Sequence, residues 1–99
     1  MAGEGDPRYL KLLDELRELH LKKSADYGQG EDPLANLRAS EKFGIPAWVG
    51  AMVRAQDKMT RIQSFVTNGK LENEGIEDSL LDGAAYHLLA LVLYRETTE

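Results

Sequence analysis

The chain has no cysteine, which excludes disulfides and every thiol-based mechanism and is compatible with a reducing compartment. It also lacks a basic excess: 12 Lys and Arg stand against 17 Asp and Glu, for a net charge of −5. A nucleic acid polymer or an anionic membrane is therefore not expected as the main partner, because both require a basic face. Any phosphate-bearing ligand must be held by a few local cations or by metal ions. The longest apolar run, residues 84–94, is interrupted by His87 and is too short to span a bilayer. The first ten residues, MAGEGDPRYL, carry neither the basic nor the apolar region of a signal peptide. A soluble cytoplasmic protein is expected. Strand-like alternation, internal repeats and low-complexity tracts are missing. So are a Walker loop, a G-x-S-x-G elbow and an H-E-x-x-H zinc motif.

What is present reads as helix. Ninety-nine residues suit one domain, and a chain this short buries a modest core, so oligomerisation is a plausible source of stability. Residues 1–5 are small, polar and expected to be disordered; residues 6–99 form the helical domain. Asp6-Pro7 is a start signal, an acceptor side chain followed by proline at the first helical position. Leucines at 10, 12, 13, 16, 19 and 21 then give a helix over 7–23. SADYGQGED, residues 24–32, reads as a loop. Asp32-Pro33 repeats the start signal for a short helix over 33–42, with Gly44 as a left-handed stop. Pro46 opens a third helix to about residue 67, ended by Asn68-Gly69. Trp48, Met52, Ala55, Met59, Ile62 and Val66 alternate by four and three along it, a packing seam. After an acidic turn at 70–75, a fourth helix covers 76–95 and is apolar nearly all round beyond Asp82. The expected fold is a compact all-α four-helix bundle of three long helices and one short one. Its central apolar helix favours a homodimer or homotetramer.

Two groups of charges carry chemistry. On the fourth helix Asp78 and Asp82 lie one turn apart in line with Leu81, Ala85, Leu89 and Val92. Like charges at that spacing repel, and a buried carboxylate without a partner is costly. The pair therefore calls for a divalent cation, with magnesium suited to carboxylates and substrate phosphates, or for a cation on a neighbouring helix. A plainer account also serves: Asp78 as a first-turn acid on the helix dipole and Asp82 in an ion pair. On the third helix RAQDKMTRI supplies Arg54, Asp57, Lys58 and Arg61. They form either a solvated face or, with Gly50, Val49 and Val53 on the same side, a groove where lysine and arginines meet phosphate oxygens. Lys23 and Tyr27 at the end of the first helix are candidates for phosphate contact and base stacking. Asn36 and Arg38 are candidates for a hydrogen bond and a charge. Trp48 reads as core, and His20 and His87 have no second ligand at metal-binding spacing.

KSADYG, DPLANLRASEKFGIPAW, RAQDKMTRI and IEDSLLDGAAYHLLAL together resemble the MazG-like all-α nucleotide pyrophosphatases, in particular a phage and bacterial branch associated with nucleotide modification. The resemblance implies a dimeric or tetrameric helical bundle. It also implies magnesium-dependent hydrolysis of nucleoside triphosphates to monophosphate and pyrophosphate. Carried over, Asp57, Asp78 and Asp82 would ligate the metal. Asp57 and Asp82 would be the catalytic acids, and Lys58 and Arg61 the phosphate contacts, beside Arg54. The family signature has four acids, E-x-x-E and E-x-x-D; here the third helix offers Asp57 alone and the fourth reads D-x-x-x-D. Glu41, Glu74 or Glu77 would have to supply another. That shortfall leaves an alternative: a bundle that binds a nucleotide without cleaving it, such as a phage protein that sequesters a nucleotide signal of host defence.

Overall fold

The computed structural model describes residues 3–27, 32–71 and 75–98, except for the side chains of residues 26 and 27. Every regular element among them is helical: α1 (Pro7–Tyr27), a 3₁₀ helix (Leu37–Phe43), α2 (Ala47–Asn68) and α3 (Ile76–Glu96). The chain divides into two compact units, Met1–Asn36 and Leu37–Glu99. None of the described helices is long and apolar enough to cross a membrane.

In the first unit Asp6 caps α1 as expected. Its Oδ1 accepts the Arg8 amide at 2.8 Å, and its carboxylate also pairs with the Arg8 guanidinium at 2.6 Å. That guanidinium is the main reason the Asp6 carboxyl is held below its ordinary value, with the Arg8 amide adding to the effect. α1 runs to Tyr27, beyond the expected residue 23, because Ser24, Ala25 and Asp26 continue the turn and no glycine intervenes before Gly28. The rest of the expected loop, residues 28–31, lies outside the described residues, as do residues 1 and 2 of the N-terminal segment and residues 72–74 of the acidic turn.

Asp32-Pro33 starts a turn rather than an α-helix. Asp32 Oδ1 accepts the Leu34 amide at 2.9 Å, and the Asp32 carbonyl accepts the Ala35 amide at 3.1 Å. An aspartate that closes a local ring in this way competes with helix propagation. The chain recovers only as a 3₁₀ helix, which ends at Gly44 with φ 77°, the left-handed stop.

In the second unit α2 and α3 pack along their length, with the 3₁₀ helix against α2. α2 ends at Gly69, also at φ 77°, whose amide reaches the Phe65 carbonyl. The packed line on α2 passes through Ala47, Ala51, Ala55 and Ile62 and takes in Lys58. It is rotated about half a turn-step from the expected seam, leaving Met59 and Val66 exposed. Small side chains explain the rotation. Ala51 and Ala55 let α3 approach, and Ser79, Ala90 and Leu93 fill the gap from the other side. Gly50 does the same for the 3₁₀ helix: a Cβ there would sit 2.5 Å from Ser40 Oγ. Trp48 packs edge-to-face on Tyr94 with ring centroids 5.4 Å apart. Arg38 forks onto Glu96 at 2.7 and 3.0 Å, which ties the 3₁₀ helix to the end of α3.

Candidate functional site: a cation-lined groove between α2 and α3

Rotation of α2 sets the charged line Arg54–Asp57–Arg61 beside the packed line. The four-residue step from Arg54 to Lys58 and the three-residue step from Lys58 to Arg61 bring all of these side chains to one edge of the helix. They line a groove of about 270 Å³ together with Tyr86 of α3. Arg54, Asp57 and Arg61 are themselves exposed, so the face is solvated as well as hollowed. Tyr86 is the residue the sequence did not single out. It hides inside an apolar run, and its one signal is that it follows Asp82 by a helical turn.

Lys58 and Asp82 are the joint between the helices. Their Nζ and Oδ2 atoms are 3.2 Å apart, and the two side chains are 18% and 14% exposed. The Lys58 stem runs past Gly83, the place of a Cβ on Gly83 being 3.8 Å from Lys58 Cβ, an ordinary contact distance. Desolvated to this degree, each charge depends on the other. Asp82 thus takes the neighbouring-cation option that the sequence left open.

Asp78 and Asp57 fare differently. Asp78 is exposed in the first turn of α3, with its Oδ2 folded back to 3.6 Å from the place of a Cβ on the N-cap residue Gly75. There its charge complements the positive end of the helix. Asp57 is exposed and lines the groove. Of the three predicted metal ligands, the groove therefore takes Asp57 alone. Among the described residues no group of three or more His, Asp or Glu side chains is placed to hold a metal ion. Glu41 and Glu77 are exposed, and Glu74 lies outside the described residues.

Each remaining candidate is described within its own unit. Lys23, half-buried on α1, and Asn36, exposed in the turn, belong to the first unit. Tyr27 ends α1, and its side chain lies outside the described residues. The Arg38 guanidinium is committed to Glu96. His20 and His87 are exposed; His87 Nδ1 lies 2.9 Å from the Gly83 carbonyl one turn back. A larger hollow of about 540 Å³ at the end of α2 is lined, among the described residues, by Ser64, Asn68, Lys70 and Leu71, which present one cation and neither an acid nor an aromatic ring.

Chemically, the groove is lined by three cations and one carboxylate from α2 and a phenol from α3, with one of the cations, Lys58, paired to Asp82. Arginine forks and a lysine ammonium suit the oxygens of a phosphate chain, and a tyrosine ring gives a face for a planar group. Compared with protein-family models, with curated proteins and with solved structures, the chain finds no match.

Proposed function

We propose that the protein binds a nucleotide or a closely related phosphate-bearing small molecule in the α2–α3 groove. The observation that carries this reading is the convergence of Arg54, Lys58 and Arg61 on one groove with Tyr86 at its side. The arginines grip the phosphate oxygens, and Lys58, already shared with Asp82, adds positive potential at the inner wall. Tyr86 supplies the contact for the base or sugar. With Asp57 as the single groove acid, the described residues do not build a magnesium cage of their own. Magnesium belongs to this reading as an ion brought by the phosphates of the ligand, which needs one or two protein carboxylates. Lys23, Tyr27 and Asn36 are not required by this reading.

A second reading is hydrolysis of a nucleoside triphosphate to monophosphate and pyrophosphate. It is favoured by the presence of Asp57 in the groove and by the motif resemblance. One set of measurements separates the two. Thermal-shift screening against nucleoside mono-, di- and triphosphates, with and without magnesium, is expected to raise Tm most for the longest phosphate chain. The wild-type protein is then incubated with the best ligand and magnesium, denatured, and the ligand analysed. Intact nucleotide supports the binder, and released pyrophosphate lost in Asp57→Ala supports the hydrolase. No shift with any nucleotide, in wild type and Arg61→Ala alike, removes both.

A further inference from the structure

The face of α3 turned away from α2 is apolar and exposed. Leu80 is 54%, Leu88 52% and Val92 49% exposed, with Leu91 and Ala84 beside them. Between Asp82 and Arg95 the sequence contains no Asp, Glu, Lys or Arg. Along the centre of this face run Glu77, Leu81, Ala84, Leu88, Leu91 and Arg95, spaced four, three, four, three and four. That spacing keeps a stripe on one side of a helix and is the pattern of knobs-into-holes pairing.

The stripe has a second property: it is a chemical palindrome about residue 86. Glu77 and Arg95 stand equally far from that point, as do Leu81 and Leu91, Ala84 and Leu88, and, at the flanks, Leu80 and Val92. An antiparallel copy of the same helix, related by a two-fold axis at residue 86, would place leucine on leucine and alanine against leucine. It would also place the Glu77 carboxylate against the Arg95 guanidinium of the second copy at both ends. A parallel copy would set glutamate on glutamate and arginine on arginine. Among the described residues neither Glu77 nor Arg95 has an ion-pair partner. A two-fold contact requires this reciprocity of position i with j and of j with i.

We infer that the outer face of α3 is a homodimer interface, in which two α3 helices pair antiparallel across a two-fold axis at residue 86 and Glu77–Arg95 pairs close both ends. The inference is independent of the nucleotide reading, since the groove lies on the other side of α3. Alanine facing leucine permits the close helix approach, roughly 8–10 Å between axes, that small residues allow. The second copy covers the leucines that α2 leaves bare.

Sedimentation equilibrium of the full chain from about 1 to 100 µM is expected to give twice the 11.1 kDa chain mass. Leu88→Glu is expected to give a monomer with its helical circular dichroism retained. The exposed charges supply a test that does not depend on the core. Glu77→Arg and Arg95→Glu are each expected to weaken the dimer by roughly tenfold, as two rim contacts turn repulsive, and the double swap to restore it. A wild-type monomer throughout this range overturns the inference, and so does a dimer indifferent to Leu88→Glu. A double swap no better than either single change overturns the antiparallel pairing. A monomer whose Tm falls with Leu88→Glu assigns the face to a cover within the chain, and likewise overturns it.

Discussion

At the residue scale the protein turns on Lys58 and Asp82. An ion pair this far removed from water is worth little relative to an apolar pair of the same shape, but it is costly to break from one side. Asp82→Ala should therefore destabilise the chain by about 1–3 kcal/mol, between the values for exposed and fully buried pairs. Lys58→Met with Asp82→Leu should recover most of that loss; urea unfolding of the two variants against wild type measures both. The same pair separates what the sequence disclosed at the site from what it did not. Spacing alone put Asp78 and Asp82 on an inward face, where the structure keeps only Asp82, and put Arg54, Asp57 and Arg61 on one line. It could not choose between a metal and a lysine as the partner of Asp82. That choice depends on which α2 side chain the packing of the two helices sets against Asp82, which is a property of two helices together. Arg61→Ala tests the outer groove: if its guanidinium meets a phosphate, nucleotide affinity should fall by roughly tenfold to a hundredfold, the loss of one charge-assisted contact. Isothermal titration against wild type gives that ratio.

At the scale of the element, two glycines inside helices should answer alanine with opposite signs. Glycine in a helix interior costs roughly 0.5–1 kcal/mol relative to alanine. At Gly83 the added methyl would stand 3.8 Å from Lys58 Cβ, an ordinary contact, so Gly83→Ala should stabilise by about that amount. At Gly50 it would stand 2.5 Å from Ser40 Oγ and 2.8 Å from Ser40 Cβ, which no rotation of the serine relieves. Ser40 is held by its own hydrogen bond to the Ile45 carbonyl, so the 3₁₀ helix must move, and Gly50→Ala should destabilise by about 1–3 kcal/mol. Thermal melts of the two variants should shift in opposite directions. The start of α1 carries the pH dependence. The folded Asp6 carboxyl titrates below its ordinary value, so its capping contribution is complete above the unfolded value. It is lost as pH falls through the lower, folded one. Amide exchange in the first turn of α1 should rise over that acid range in wild type and not in Asp6→Asn, which keeps a cap without a charge. Element boundaries were legible where start and stop chemistry is local, at Asp6, Gly44 and Gly69. They were misread at Asp32, where the same aspartate-proline signal closes a turn on itself. The packing seam of α2 was misplaced for a related reason. A periodicity count weighs Trp48, Met52 and Met59, while contact with α3 is set by the small Ala51 and Ala55.

At the scale of the whole molecule, net charge and local charge pull against each other. The chain carries −5 overall, yet its groove gathers Arg54, Lys58 and Arg61 around one acid. A compact polyphosphate needs only those few cations, and beyond roughly one Debye length, about 8–10 Å at physiological salt, it is screened from other charges. A long polyanion extends past the groove and meets the net negative charge of the chain. Raising salt should then act in opposite senses on the two kinds of ligand. Affinity for a nucleoside triphosphate should fall severalfold between about 50 and 200 mM salt, as the groove cations are screened. A 20-base-pair DNA duplex should show no binding at low salt, where repulsion is strongest, and none of the steep salt-dependent affinity of a protein that neutralises many phosphates. Fluorescence polarisation with labelled nucleotide and labelled duplex measures both. Duplex binding that outlasts the loss of nucleotide binding in Arg61→Ala would mean that the positive surface extends well past this groove, and the ligand would have to be sought among polymers instead.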